Sequence, residues 1–177
     1  MYMLGLGSLT KKHAGMRIVK KYFLAGLFFC VASALALASG LPRPGQAAPD
    51  FTLKTLAGQP FTLSQVLKHG HAMLIFYETQ CVYCYSHIAD FNALHDKYHG
   101  KGLSMLAINY IGESESTVRE YARDNELKYG IALDYLNAID VAEAYKVVGS
   151  PTIVLIAPDG KIAFYGYTLP DVTKWLK

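Results

Sequence analysis

Residues 72–84 read Ala-Met-Leu-Ile-Phe-Tyr-Glu-Thr-Gln-Cys-Val-Tyr-Cys. The first six are apolar without alternation, the pattern of a short strand buried on both faces. From Val82 the period changes. Ile88, Phe91, Leu94 and Tyr98 recur at helical spacing, and Gly100 closes the run, so the spacing predicts one helix over 82–98. A buried strand therefore feeds a helix, and Cys81 and Cys84 stand at the junction.

The elements on either side extend this pattern. Phe51–Leu53 and Pro60–Leu63 alternate about Leu56-Ala-Gly-Gln59, predicting a hairpin, and Ser64 is placed to cap a short helix through Leu67. Leu103–Tyr110 is a second buried strand, and Ser114 or Ser116 caps a helix to about Asn125. Ile131–Leu133 reads as a strand and Asp140–Tyr145 as a short helix. Thr152–Ala157 and Lys161–Tyr167 are strands joined by the turn Pro158-Asp159-Gly160, and Pro170 opens a brief final helix. The order ββ-α-β-α-β-α-β-α-β-β-α implies an α/β fold: a central mixed β-sheet flanked by helices on both faces, with an N-terminal β-hairpin extension.

Hydrophobic residues make up 52% of the 177 and charged residues 18%, which excludes a disordered chain and suits one domain with a core. The net charge of +3 belongs to the N-terminus. Residues 1–48 hold six basic residues and no acid, while 49–177 carry 11 basic and 14 acidic side chains, a net of −3. A mildly acidic domain lacks the basic face that nucleic acid requires. Arg17, Lys20 and Lys21 precede an uncharged stretch from Tyr22 to Leu41, and Ala36-Leu-Ala38 fits a small-x-small cleavage site. Residues 1–39 thus read as a signal peptide or membrane anchor. Cleavage and retention fit equally, and both place the domain outside the cytoplasm. Met16 begins a more ordinary signal and is an alternative start. Cys30 lies within the apolar run as a small apolar residue. Residues 40–47, with two Pro and two Gly, read as a linker, and 48–177 as the domain.

A Cys-x-x-Cys at a helix start puts its sulfurs about one turn apart, within disulfide reach. The first thiol faces free backbone N–H groups and the positive end of the helix dipole, which favours thiolate, the species that attacks disulfides. A static disulfide or half a zinc site would use the same residues, but zinc needs four ligands and only Cys81, Cys84 and His87 are local. About 70 residues on, Gly149-Ser-Pro-Thr152 opens a strand with Pro. Pro cannot donate to a ladder. A cis peptide would explain its place and would hold the Ser150 backbone ready for an extended substrate chain; an ordinary trans Pro at a strand edge is the other reading. His95 and His99 have metal-ligand spacing, but Asp96 and Lys97 between them suggest an exposed polar face. Glu113 and Glu115 are read as serving the dipole of the following helix.

These pieces together resemble the TlpA/ResA-like branch of the thioredoxin superfamily, extracytoplasmic and usually membrane-tethered thiol–disulfide oxidoreductases. The resemblance rests on Ala48-Pro-Asp-Phe-Thr-Leu53, Phe76-Tyr77 with Cys81-x-x-Cys84, Lys101-Gly-Leu103 with Ala107-Ile-Asn109, Tyr145 with Gly149-Ser-Pro-Thr152, and Ile156-Ala-Pro-Asp-Gly160. It implies a thioredoxin-like fold, Cys81 as nucleophile, Cys84 as resolving thiol, and Pro151 as a cis-proline. This sequence departs from the family at four places: Gln80 stands for the usual Trp, Ile75 for a buried Asp or Asn, His87 for an acidic residue and Ala89 for a helix Pro. Ala89 implies a less kinked helix. With two proton acceptors absent, His87, one turn past Cys84, and Glu78, three residues before Cys81, become the candidates for proton handling; a solvent-facing role stands open for each. Tyr83, with Tyr85, is a candidate rim for substrate binding, with core packing the competing role.

The resulting expectation is a thiol–disulfide exchange enzyme needing no cofactor and no resident metal. Its implied partners are exported thiol or disulfide proteins, such as apo-cytochrome c, and a membrane thiol–disulfide carrier as electron donor. Reduction is the expected direction, with oxidase or isomerase roles open. The alternative from another class is a copper-binding assembly factor using Cys81, Cys84 and His87. A peroxide-reducing enzyme fits less well, because Glu78 stands where its Pro-x-x-x-Thr-x-x-Cys pattern places Thr.

Overall fold

In the computed structural model, residues 40–176 are described. Its centre is the strand expected from the apolar run. β3 (His71–Tyr77) pairs in parallel with β4 (Leu103–Asn109) on one edge and antiparallel with β6 (Thr152–Ile156) on the other. β5 (Gly130–Ala132) extends the sheet beyond β4 and β7 (Ile162–Gly166) beyond β6, giving the order β5-β4-β3-β6-β7. β1 (Thr52–Lys54) and β2 (Pro60–Thr62) form a separate antiparallel hairpin. The mixed sheet and the hairpin extension agree with expectation.

Period two sorts the strand residues onto two cores. Met73, Ile75 and Tyr77 of β3 face one side, where they meet α2 (Val82–Ser86), α3 (Ile88–Tyr98) and α4 (Glu115–Asp124) through Cys84, Phe91 and Tyr121. Ala72, Leu74 and Phe76 face the other, under α1 (Leu63–Val66), α5 (Tyr135–Ala144) and Leu53 of the hairpin. A parallel β3–β4 pair requires a crossover, and α2 with α3 supplies it.

Several local expectations shift. Ser64 lies inside α1 rather than capping it, and its N–H donates to Asp50 Oδ1 at 2.9 Å. The helix expected over 82–98 is broken at His87 (φ −102°, ψ −1°) although it contains no Pro. At the break His87 N–H closes a three-residue turn on the Cys84 carbonyl at 3.3 Å, and Phe91 N–H resumes the four-residue ladder on the His87 carbonyl at 2.9 Å. The turn after Tyr98 continues as 3-10 through Lys101, and Gly102 rather than Gly100 takes the left-handed conformation (φ 87°). The Gly102 carbonyl lies where a side chain on Gly70 would begin, which requires glycine there. α5 starts at Tyr135, earlier than expected, and the C-terminal helix is reduced to a 3-10 turn, Val172–Lys174.

Residues 45–48 lie against the β6–β7 hairpin, with Gly45 N–H donating to Ile162 O and Ala48 N–H to Gly160 O. The segment read as an export signal or anchor falls outside the described residues. Among the described residues no helix is long and apolar enough to cross a membrane.

The two cores bury many phenols. Burial, aided by neighbouring Tyr85 and Glu113, pushes Tyr121 up to about 12, and burial with Tyr167 does the same to Tyr165. Burial drives Tyr77, Tyr129 and Tyr145 higher still. These folded-state values lie above the ordinary phenol value of about 10, so their contribution to stability is complete below about pH 10 and is lost as pH rises through about 12. The urea midpoint should therefore fall steeply between about pH 10 and 12, with phenolate absorbance rising in step with unfolding. A midpoint flat across that window would contradict this placement.

Candidate active site

Cys81 caps the start of α2. Its backbone is extended (φ −78°, ψ 106°), and its Sγ accepts the Cys84 N–H at 3.0 Å, as an oxygen does at an ordinary N-cap. A donor aimed at this sulfur favours its anionic form. Cys81 and Cys84 are joined in a disulfide with Cα atoms 5.2 Å apart. The two sulfurs differ in access: Cys81 is partly exposed, whereas Cys84 is 4% exposed within the α2–α3–α4 core.

Sheet register explains what lies beside the pair. Phe76 pairs with Thr152 and Tyr77 with Asn109. Continuing both ladders sets Glu78 beside Tyr110 and Ser150, just past the paired ends of three neighbouring strands. The side chains meet there. Tyr110 Oη–H donates to Glu78 Oε1 at 3.0 Å; Ser150 Oγ lies 2.9 Å from the same oxygen and 3.0 Å from Tyr110 Oη. The Ser150–Pro151 peptide is cis.

A second cluster holds the other side of the Cys loop. Buried Thr79 gives its N–H to Glu113 Oε2 at 3.0 Å and its hydroxyl to Oε1. Buried Asn109 donates its amide to Glu113 Oε2 and accepts the Glu113 N–H at 3.1 Å. Glu113 is therefore a brace between the β3–α2 and β4–α4 loops, not the helix-dipole residue the sequence suggested. Ser114 is the cap of α4, accepting from Thr117 N–H. Thr79, Asn109 and Tyr110 escaped the sequence reading. Their only signal was position, at or just past the ends of two strands read as buried.

The remaining candidates divide. Tyr83 is 74% exposed beside Val82 at 76%, so neither packs in the core, while Tyr85 sets its ring edge on Tyr121 at 5.3 Å. His87 is half-buried against Phe91, its Nδ1 3.6 Å from Asp90 Oδ2. His95 and His99 stack at 4.6 Å. Among the described residues no three His, Cys, Asp or Glu side chains are grouped to hold a metal ion. Beneath Cys84 lies a cavity of about 10 Å³, lined also by Tyr77, Tyr121, Tyr129 and Phe91.

The chain is similar to known proteins in sequence and in fold. The AhpC/TSA family profile matches residues 44–165. The chain is 30% identical over 118 residues to the thiol-disulfide oxidoreductase ResA of Bacillus thuringiensis subsp. konkukian, covering 67% of this chain and 66% of that one. It is 32% identical over 122 residues to the thioredoxin-like protein YneN of Bacillus subtilis, covering 68% and 69%. Its fold matches the thioredoxin domain of a thiol-disulfide oxidoreductase from Bacteroides vulgatus with a TM-score of 0.65 at 21% identity, covering 75% and 94%.

The Tyr77 hydroxyl is buried and finds no hydrogen-bond partner among the described residues. A buried polar group left unpaired costs about 1–3 kcal/mol. Tyr77→Phe should therefore raise stability by about 1 kcal/mol, read as a higher urea midpoint at unchanged slope. A destabilised variant would mean that the hydroxyl is satisfied.

Proposed function

We propose, for a chain that belongs to the AhpC/TSA family, thiol–disulfide exchange with exported proteins through Cys81 and Cys84. The observation that carries this reading is the unequal pair: a partly exposed sulfur capped by an N–H, bonded to a buried one, at a strand-to-helix junction. In the reductive direction the Cys81 thiolate attacks a substrate disulfide, forming a mixed disulfide and releasing one substrate thiolate. The Cys84 thiolate then attacks Cys81 Sγ, the second substrate thiolate leaves, and the protein is left oxidised. Two electrons pass to the substrate, and its two sulfurs take up protons. Recharging reverses these steps against a dithiol donor, which we assign to a membrane thiol–disulfide carrier.

Substrate would lie across Ser150 and Pro151, with exposed Tyr83 and Val82 forming the apolar rim beside Cys81. His87, one turn past Cys84 and near Asp90, is the residue to which we assign handling of the Cys84 proton. Glu78, the other candidate, has its Oε1 engaged by the Tyr110 and Ser150 hydroxyls. An extracytoplasmic site, tethered or released, follows from the basic and apolar character of residues 1–39. Apo-cytochrome c is the partner class suggested by the ResA-like resemblance, with the protein acting as reductant.

Equilibration of the Cys81–Cys84 couple in a glutathione series tests both chemistry and direction. A potential near about −270 mV, as in thioredoxin, is expected for a reductant, whereas one near about −120 mV marks an oxidant. Cys81→Ser should abolish insulin reduction, and Cys84→Ser should accumulate the mixed disulfide. A pair that forms no disulfide at any poise would remove the exchange reading. Stoichiometric copper binding without disulfide reduction would favour a metallochaperone instead.

A further inference from the structure

Glu78 is the one acidic side chain in contact with the Ser150–Pro151 edge among the described hydrogen bonds, and its placement is set by the sheet itself. It stands one position beyond the last β3–β4 pair and two beyond the last β3–β6 pair. Its Oε1, Tyr110 Oη and Ser150 Oγ form a triangle with sides of 2.9–3.0 Å. Two hydroxyls bring two protons to three oxygens. Glu78 Oε1 is the corner that both hydroxyls reach as an acceptor. Hydrogen bonds to a charged acceptor are also stronger and shorter than those between neutral groups. The carboxylate thus ties the loop carrying the cysteines to the loop carrying the proline, with Tyr110 bridging them from β4.

We propose that Glu78 is a positioning residue for substrate capture: it fixes the Ser150 main chain, through the Ser150 hydroxyl, at a set height beside Cys81. This rests on the exchange reading of Cys81 and on Ser150–Pro151 as its substrate edge. Its action is on the docking of an extended polypeptide and not on the sulfur chemistry. A small disulfide, which needs no strand-like docking, is indifferent to it. The brace formed by Glu113 with Thr79 and Asn109 holds the opposite side of the same loop and leaves the height of Ser150 unset.

The test compares Glu78→Leu, Glu78→Gln, Ser150→Ala and the Glu78→Leu/Ser150→Ala double variant in the full chain. Insulin serves as the polypeptide disulfide and dithionitrobenzoate as the small one. Loss of a hydrogen bond to a charged group predicts KM for insulin raised about tenfold in Glu78→Leu and in Ser150→Ala, with kcat within about twofold. The double variant should be no worse than either single one, because both break the same link. Glu78→Gln keeps an acceptor and should restore KM to within about twofold of wild type. In the Glu78 single variants, rates with dithionitrobenzoate and the pH midpoint of Cys81 alkylation should not move. Additive KM changes, a fall in kcat at constant KM, or a shifted alkylation midpoint would overturn the proposal, the last by assigning Glu78 to the thiolate. If Glu78→Leu does not fold, Ser150→Ala with an unchanged KM overturns it alone. If the wild type itself exchanges with neither disulfide, it is the exchange reading that fails. If the wild type exchanges and the variants match it, only the positioning role does.

Discussion

β3 has both edges hydrogen-bonded and both faces covered, and the rest of the fold is arranged to make that so. A polar side chain buried on such a strand is costly, hence the apolar run from Ala72 to Phe76, with the unpaired Tyr77 hydroxyl as the exception at its end. Its parallel neighbour demands a crossover, which puts a helix directly after it. Its antiparallel neighbour must begin where it ends, which delivers Ser150 and Pro151 to the same edge. The meeting of Glu78, three residues before Cys81, with Ser150 of the proline loop is thus a consequence of strand pairing and needs no long-range code of its own.

The first polar residues after this strand are where the sheet's demands end and chemistry begins. Glu78 and Thr79 point to different partners, one toward Tyr110 and Ser150, the other toward Glu113 and Asn109. Every residue in these two clusters is at a strand end or in a loop that adjoins one. The Cys loop is pinned from two sides by carboxylates while the cysteines themselves remain at its tip. Pinning of this kind fixes the loop that leads to the cysteines against the ends of β4 and β6.

What could be read from sequence was what depends on neighbours in the chain. The apolar run, the period change at Val82, the hairpin at Pro158-Asp-Gly160 and the serine cap of α4 all declare themselves within a few residues. The resemblance added the cis-proline. What escaped reading depends on partners far away. Glu113 looked like an ordinary first-turn acid because Thr79 is 34 residues distant. α5 begins at Tyr135, but Tyr135 and Leu136 are exposed and give no apolar period at that end. The break at His87 coincides with a three-residue closure to Cys84 that no residue type announces. The final segment, about two turns long, was too short to sustain a helix on its own propensity.

The backbone bonds from Gly45 and Ala48 to the β6–β7 hairpin carry an architectural consequence. β6 begins beside the cysteines and ends at that hairpin, five residues or about 16 Å away. The polypeptide therefore enters the domain at the end of the sheet remote from its reactive tip.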